Sequence, residues 1–268
     1  MNIPVTVTVL GCRGSIPVCG EQFLRYGGAT CCVLVQAPHQ ALLLDAGTGM
    51  LNLSEHLHGE RSLPILLTHP HIDHLLGITM NREIANPDFY FDIYSVTRNG
   101  LDTKSQIDTL VSPPLWPIAA DVLPAHIGFW ELTQHFELGG ISVDTMEGDH
   151  PGGVSVIRLT IGDLKIVYMT DCTITDENRD ALLSFSKSCD LLLCDGQYSD
   201  DEWQACHDYG HNTWKNAARF ALECGAKKAR IIHHAPTHSD TILDEACKEV
   251  SSICPICSLA HDGEELTL

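Results

Sequence analysis

At 268 residues, with 44% hydrophobic side chains, the chain is long enough to bury a substantial core and has ordinary globular composition. Its 16 Lys and Arg stand against 35 Asp and Glu, a formal charge of −19. A surface of that sign repels polyanions, and no Lys/Arg cluster makes a basic groove, so long nucleic acids are excluded as expected partners. No apolar run approaches the roughly 18 residues of a membrane span, which argues against a membrane partner. The segment Met1–Leu10 has no basic start and alternates like a strand, so it does not read as a signal peptide. The twelve cysteines are scattered and read as reduced thiols of a cytoplasmic protein. Cys31 and Cys32 fall in a strand pattern and read as packing residues, and Cys254-Pro255-Ile256-Cys257 is a lone CxxC with no partner pair.

Hydrophobic patterning predicts a strand over Val5–Leu10, ending at the glycine-punctuated loop Gly11–Pro17. Further strands are predicted over Cys31–Gln36, Ala41–Asp45 and Leu63–Leu67, with a helix over Met50–His58 before the last. A short helix is expected over Leu76–Arg82, a strand over Phe89–Val96 and a helix over Leu101–Val111. Pro113, Pro114 and Pro117 mark an irregular crossing before a strand at His126–Thr133. Three successive strands follow, Ile141–Met146, Val154–Ile161 and Leu164–Thr170. The remainder alternates: helix Glu177–Ser186, strand Leu191–Cys194, helix Thr213–Cys224, strand Ala229–His233 and helix Thr241–Val250. Runs of strands separated by helices in two groups predict two mixed sheets packed face to face with helices outside. The expected fold class is α/β, a four-layer αββα sandwich, formed by one domain over residues 1–268.

The densest chemistry lies in Thr68-His69-Pro70-His71-Ile72-Asp73-His74, at the C-terminal end of the Leu63–Leu67 strand. Three imidazoles and a carboxylate in six residues form a metal-ligand pattern without thiolate, which suits a catalytic zinc, manganese or iron site. His69 and His71 are placed to reach one ion, and Asp73 and His74 a second. His150, in the loop Gly148–Gly153, is a candidate third ligand to the first ion. Asp171, ending Ile166–Thr170, is a candidate bridge, because two nearby cations need a shared anion. His233-His234 ends a strand and offers two candidates for the second ion; alternation along the strand favours His234. His211, ahead of the Thr213 helix, reads as a catalytic histidine that is not a ligand. Asp45 is placed to orient a ligand histidine through its other nitrogen. Arg13, Ser15 and His238 are expected near the pocket.

The order His69-x-His71-x-Asp73-His74, His150, Asp171, His234 resembles the metallo-β-lactamase superfamily. Blocks at Leu43–Gly49, Thr68–Gly77, Asp149–Gly153, Tyr168–Asp171 and Gly210–His234 make the chain most similar to the phosphodiesterase branch that includes ribonuclease Z and a cyclic phosphodiesterase of phosphonate breakdown. The resemblance implies the metallo-β-lactamase fold. It implies two divalent ions, zinc foremost with manganese or iron as alternatives: one on His69, His71 and His150, the other on Asp73, His74 and His234, with Asp171 bridging. Gly210-His211-Asn212-Thr213 is similar to a Gly-His-Ser-Thr block whose histidine donates a proton, with Asn212 in place of serine. The basic Gly-rich arm with which ribonuclease Z binds transfer RNA has no counterpart here.

The expected activity is hydrolysis of small or cyclic phosphodiesters by a bridging hydroxide, with Asp73 orienting the nucleophile and His211 protonating the leaving group. The partner is then a small-molecule substrate, and a homodimer is compatible with the sequence. The alternatives are a lactone or thioester hydrolase with the same metals, a non-hydrolytic protein resembling the pyrroloquinoline-quinone biosynthesis branch, and a binding scaffold.

Overall fold

The computed structural model describes residues 4–268, so Met1–Ile3 of the N-terminal segment lie outside the described residues. Among the described residues, fourteen strands form two seven-stranded sheets. The first contains β1 (Thr6–Gly11), β2 (Cys32–Gln36), β3 (Ala41–Leu44), β4 (Ser62–Leu66), β5 (Tyr90–Ser95), β6 (His126–Glu131) and, at its other edge, β14 (Glu264–Thr267). The second contains β7 (His135–Leu138), β8 (Ile141–Gly148), β9 (Val154–Ile161), β10 (Leu164–Met169), β11 (Leu191–Asp195), β12 (Lys228–Ile232) and β13 (Cys257–Leu259). Their orders are β14-β1-β2-β3-β4-β5-β6 and β13-β12-β11-β10-β9-β8-β7. Each sheet is antiparallel in one half and parallel in the other, with β3, β4, β5 and β6 parallel in the first and β10, β11, β12 and β13 in the second.

Period-two alternation sorts the side chains into layers. Leu42 and Leu44 of β3, with Ile166 and Tyr168 of β10 and Leu191 and Leu193 of β11, point into the core between the sheets. Their neighbours Leu43, Val167 and Leu192 point outward. The outer face of the first sheet is covered by the 3-10 turns of Thr48–Glu55 (Met50, Leu53) and by Ile107 of helix α2 (Thr103–Asp108), while α1 (Ile72–Leu75) forms one turn after β4. Trp214 and Phe220 of α5 (Trp214–Glu223) and Leu243 and Val250 of α6 (Asp240–Ile253) cover the second sheet, with Leu182 of α3 (Arg179–Ser186); a further short helix, α4, spans Trp203–Cys206. The layering is αββα, as the sequence predicts.

Several elements differ from expectation. The Met50–His58 segment forms 3-10 turns, not an α-helix. Strands β7, β13 and β14 lie where no strand was predicted; HFEL, CSL and EELT are too short and too polar to show a period. Cys254 closes α6 and Cys257 opens β13, both buried. Caps follow the expected chemistry: the Asp102 side chain accepts from Ser105 N at α2, and that of Thr213 accepts from Asn216 N at α5.

Leu193 sits in the middle of β11, fully buried between the sheets. Leu193→Ala is expected to lower unfolding stability by about 2–5 kcal/mol through lost transfer energy and a residual cavity. Urea denaturation followed by circular dichroism measures it, and a loss under about 1 kcal/mol would show that the inter-sheet core collapses freely around β11.

Candidate metal centre

Parallel strands end together, and the backbone after them is free to turn toward the same crevice. Asp45 follows β3, Thr68–His74 follows β4, Asp171 lies two residues past β10, Asp195 is the last residue of β11 and His233 is the first beyond β12. His150 comes from the β8–β9 connection and His211 from the loop before α5. Asp45, Asp171 and His233 have left-handed backbones, with φ of 59°, 53° and 64°. A non-glycine residue in that region is strained by about 1–3 kcal/mol, and such strain gathers where geometry is imposed by a site.

His69, His71 and His150 form the first group. His69 Nε2 is 2.9 Å from His71 Nδ1, and His150 Nε2 is 3.2 Å from the same atom. The tautomers follow from the outer partners. Thr68 Oγ1 lies 3.0 Å from both oxygens of Asp45 and spends its proton there, so it accepts from His69 Nδ1–H. His150 Nδ1–H donates to the Gly210 carbonyl at 2.9 Å. Both Nε2 atoms are therefore lone pairs, aimed with His71 Nδ1 at one point. Three converging lone pairs fit a cation between them. Burial holds all three rings below the usual histidine range, so they stay neutral and ready to ligate.

The second group is Asp73, His74 and His233, with Asp171 between the two groups. His74 Nδ1–H donates to Asp45 Oδ2 at 2.7 Å, leaving Nε2 buried with no hydrogen-bond partner, 3.4 Å from Asp73 Oδ2 and 3.2 Å from Asp171 Oδ2. His233 Nε2 is 3.2 Å from Asp73 Oδ2 and from Asp171 Oδ1. Asp171 Oδ1 also faces His69 and His150, at 3.9 and 3.7 Å. An orphaned imidazole nitrogen beside two carboxylate oxygens fits a second divalent cation, and the histidine and carboxylate donors suit zinc, manganese or iron.

The structure corrects the choice within the His233-His234 pair. His234 Nε2–H donates to the Ala260 carbonyl, its ring stands edge-on to Tyr26, and it is remote from every ligand group. Burial pulls it down to about 3. Alternation favoured His234 only if the strand continued. It stops at Ile232, and the left-handed turn at His233 swings that ring into the site. Gly14 packs against the His233 ring; a Cβ there would lie 2.3 Å from His233 Nδ1.

Asp45 accepts from His74 of the cluster that follows β4 and has further partners. Besides His74 it accepts from Thr68 N at 2.8 Å and from the Tyr168 hydroxyl at 2.9 Å, a bond that joins the two sheets. Asp195 was not anticipated. Fully buried, it accepts from His211 Nδ1–H at 2.9 Å and Asn212 N at 2.8 Å, with His233 Nδ1 3.4 Å away. Its signal was present, since Leu191-Leu192-Leu193-Cys194-Asp195 repeats the apolar-run-then-aspartate pattern of Leu42-Leu43-Leu44-Asp45. His211 lines the cavity and stacks on His233 at 4.8 Å. Ser15 N donates to Asp73 Oδ2 at 2.7 Å. Arg13 and His238 do not line the cavity: the guanidinium donates to the Gly27, Ala235 and His238 carbonyls, and His238 faces Glu202.

The electrostatics split the cluster. Burial opposes charge on every group, but His74 and His233 together hold Asp73 and Asp171 well below the usual carboxylate range. Against the same burial, Asp73, Asp45 and Asp171 raise His74 well above the usual histidine range, and Asp171, Asp73 and Asp195 raise His233 to about 9. In the metal-free chain, protons occupy the positions that a cation would take.

The family described as the beta-lactamase superfamily domain matches residues 40–234. The uncharacterised protein Rv1339 of Mycobacterium tuberculosis is 25% identical over 257 residues, covering 92% of this chain and 87% of its own. A ribonuclease Z of Lachnospira eligens is 23% identical over 323 residues, covering 98% and 97%. Among solved structures, the metallo-beta-lactamase fold protein YhfI from Bacillus subtilis superposes with a TM-score of 0.76 over 99% of both chains at 22% identity, a likeness of fold.

Two measurements test the geometry. His233→Ala is expected to retain fewer divalent ions after dialysis than the wild type, whereas His234→Ala retains as many; elemental analysis reads the stoichiometry, and the opposite pattern would favour His234 as the ligand. A ligating ring must give up its proton, so Zn²⁺ affinity should rise with pH up to and through about 9, where His233 loses its proton. Calorimetry at about pH 7.5, in buffers of different ionisation enthalpy, should show about two protons released on saturation. No release would mean that His74 and His233 are neutral in the metal-free protein.

Proposed function

This chain belongs to the beta-lactamase superfamily domain family and is a metal-dependent hydrolase, and on that premise we propose that it cleaves small or cyclic phosphodiesters. In this reading His69, His71 and His150 would hold one divalent cation and Asp73, His74 and His233 the other, with Asp171 available to both groups. Bound there, the two cations supply Lewis acidity, neutralising phosphate charge and lowering the pKa of water toward neutrality.

The observation that carries the choice of phosphodiester is the His211–Asp195 pair. His211 lies at the cavity 3.8 Å from Asp171 Oδ1 but gives its Nδ1–H to a buried carboxylate, which fixes the ring and leaves Nε2 for the substrate. An alkoxide leaving a phosphodiester is strongly basic and needs a proton, which a histidine held in this way delivers. Asp73, fixed by Ser15 N, orients the attacking water. The likeness to ribonuclease Z supports phosphorus ester chemistry, while the −19 charge favours small substrates over polyanions.

Zinc- or manganese-loaded protein is expected to hydrolyse bis(p-nitrophenyl) phosphate and at least one cyclic nucleotide. His211→Ala should lower kcat about 10²–10⁴-fold on the cyclic nucleotide and much less on the p-nitrophenyl ester, whose leaving group needs no acid. Turnover of neither substrate, with lactone hydrolysis unaffected by His211→Ala, would move the assignment to an acyl hydrolase.

A further inference from the structure

The cavity over the ligand cluster holds about 270 Å³ and opens to solvent. Its buried lining is made of ligand groups and His211, and its exposed lining carries three apolar residues, Ile72 after β4 and Pro151 and Tyr209 from the second sheet's connections, beside Ser15 and His71. Ile72 is 54% exposed and Tyr209 58%, large apolar surface for residues that border a polar site. Among the described residues no Lys or Arg lines this cavity. A substituent on the phosphorus therefore finds apolar surface and one aromatic face, with no side-chain cation for a second anionic group.

Tyr209 is also held in place. Gly210 follows it in a left-handed turn (φ 91°) and lies against His150, where a Cβ would come within 2.1 Å of His150 Nδ1. Tyr198 stands edge-on to Tyr209 at 6.4 Å and to His211 at 5.9 Å, and its backbone is tied to Asn212 O and Trp214 N. A pre-set aromatic face loses little entropy when a ring stacks on it.

We propose that Tyr209, bordered by Pro151 and Ile72, is a stacking subsite for a flat, uncharged ring carried by the substrate, so that the substrate class is a singly charged phosphodiester bearing an aryl group or nucleobase. The phosphorus centre rests on the phosphodiesterase reading; the ring subsite rests on the rim itself.

Phosphinates test the two separately, because they keep one negative charge and two oxygens but have no bond to hydrolyse. Dimethylphosphinate, methyl(phenyl)phosphinate and methyl(4-carboxyphenyl)phosphinate are titrated into the zinc-loaded protein by calorimetry. The phenyl compound should bind about tenfold more tightly than the dimethyl one, the size of a single base-to-aromatic stack. The carboxyphenyl compound should lose most of that gain. Tyr209→Ala should reduce the phenyl-to-methyl ratio below about threefold and Tyr209→Phe should keep it, while Leu222→Ala, exposed on α5 and outside the cavity lining, serves as the unchanged control. A ratio near one in the wild type, or a ratio that survives Tyr209→Ala, overturns the subsite. Absence of phosphodiester turnover with the ratio intact overturns the phosphodiesterase reading and leaves the ring subsite standing.

Discussion

Asp45, Asp73, Asp171 and Asp195 are all at most 6% exposed and gather at one end of the two sheets. An interior does not hold four carboxylates without positive charge and hydrogen-bond donors beside them. Donors come from Thr68, Tyr168, Ser15 and Asn212, and positive charge from the protonated rings of His74 and His233. Divalent cations are the fuller answer, since one ion neutralises two carboxylates and uses the lone pairs that protonation wastes.

The need to place these groups accounts for the architecture around them. Sheet strands are stiff, and their carboxyl ends fix Asp45, Asp171, Asp195 and His233 in relative position before any ligand arrives. The first sheet contributes His69, His71, Asp73 and His74, and the second contributes His150, Asp171 and His233, so each group of converging ligand atoms draws on both sheets. Tyr168 to Asp45, and Arg98 to Glu147 and Ser155, tie the sheets together near that seam. Left-handed backbone at Asp45, Asp171 and His233 is tolerated because packing and hydrogen bonds on either side over-determine it.

What the sequence revealed follows from the range of each signal. The His69–His74 run is local, so residue types and spacing carry it entirely, and buried strands such as Leu191–Cys194 announce themselves by unbroken apolar character. The layering followed from the order of those strands. His233 was misjudged because side-chain direction was extrapolated by period two through a residue that has already left the strand, and a single φ near 64° reverses that inference. Asp195 was passed over because its role depends on where His211 arrives from, sixteen residues away, which no local pattern encodes. Edge strands β7, β13 and β14 draw their order from pairing partners, not from their own three or four residues.

Three consecutive residues then divide the work of the second sheet's loop. The Gly210 carbonyl fixes the tautomer of His150, His211 lines the cavity with its Nδ1–H held by Asp195, and Tyr209 lines the cavity with a largely exposed ring. The left-handed turn at Gly210 sets the angle between the ring and the donor, and Tyr198 touches both. A ring seated on Tyr209, as proposed, would be positioned by the same few atoms that position His211, and binding at the rim would then orient the substrate over the cluster. Any substitution that shifts Gly210 disturbs ligand, donor and rim together, and this is why a residue with no side chain occupies that position.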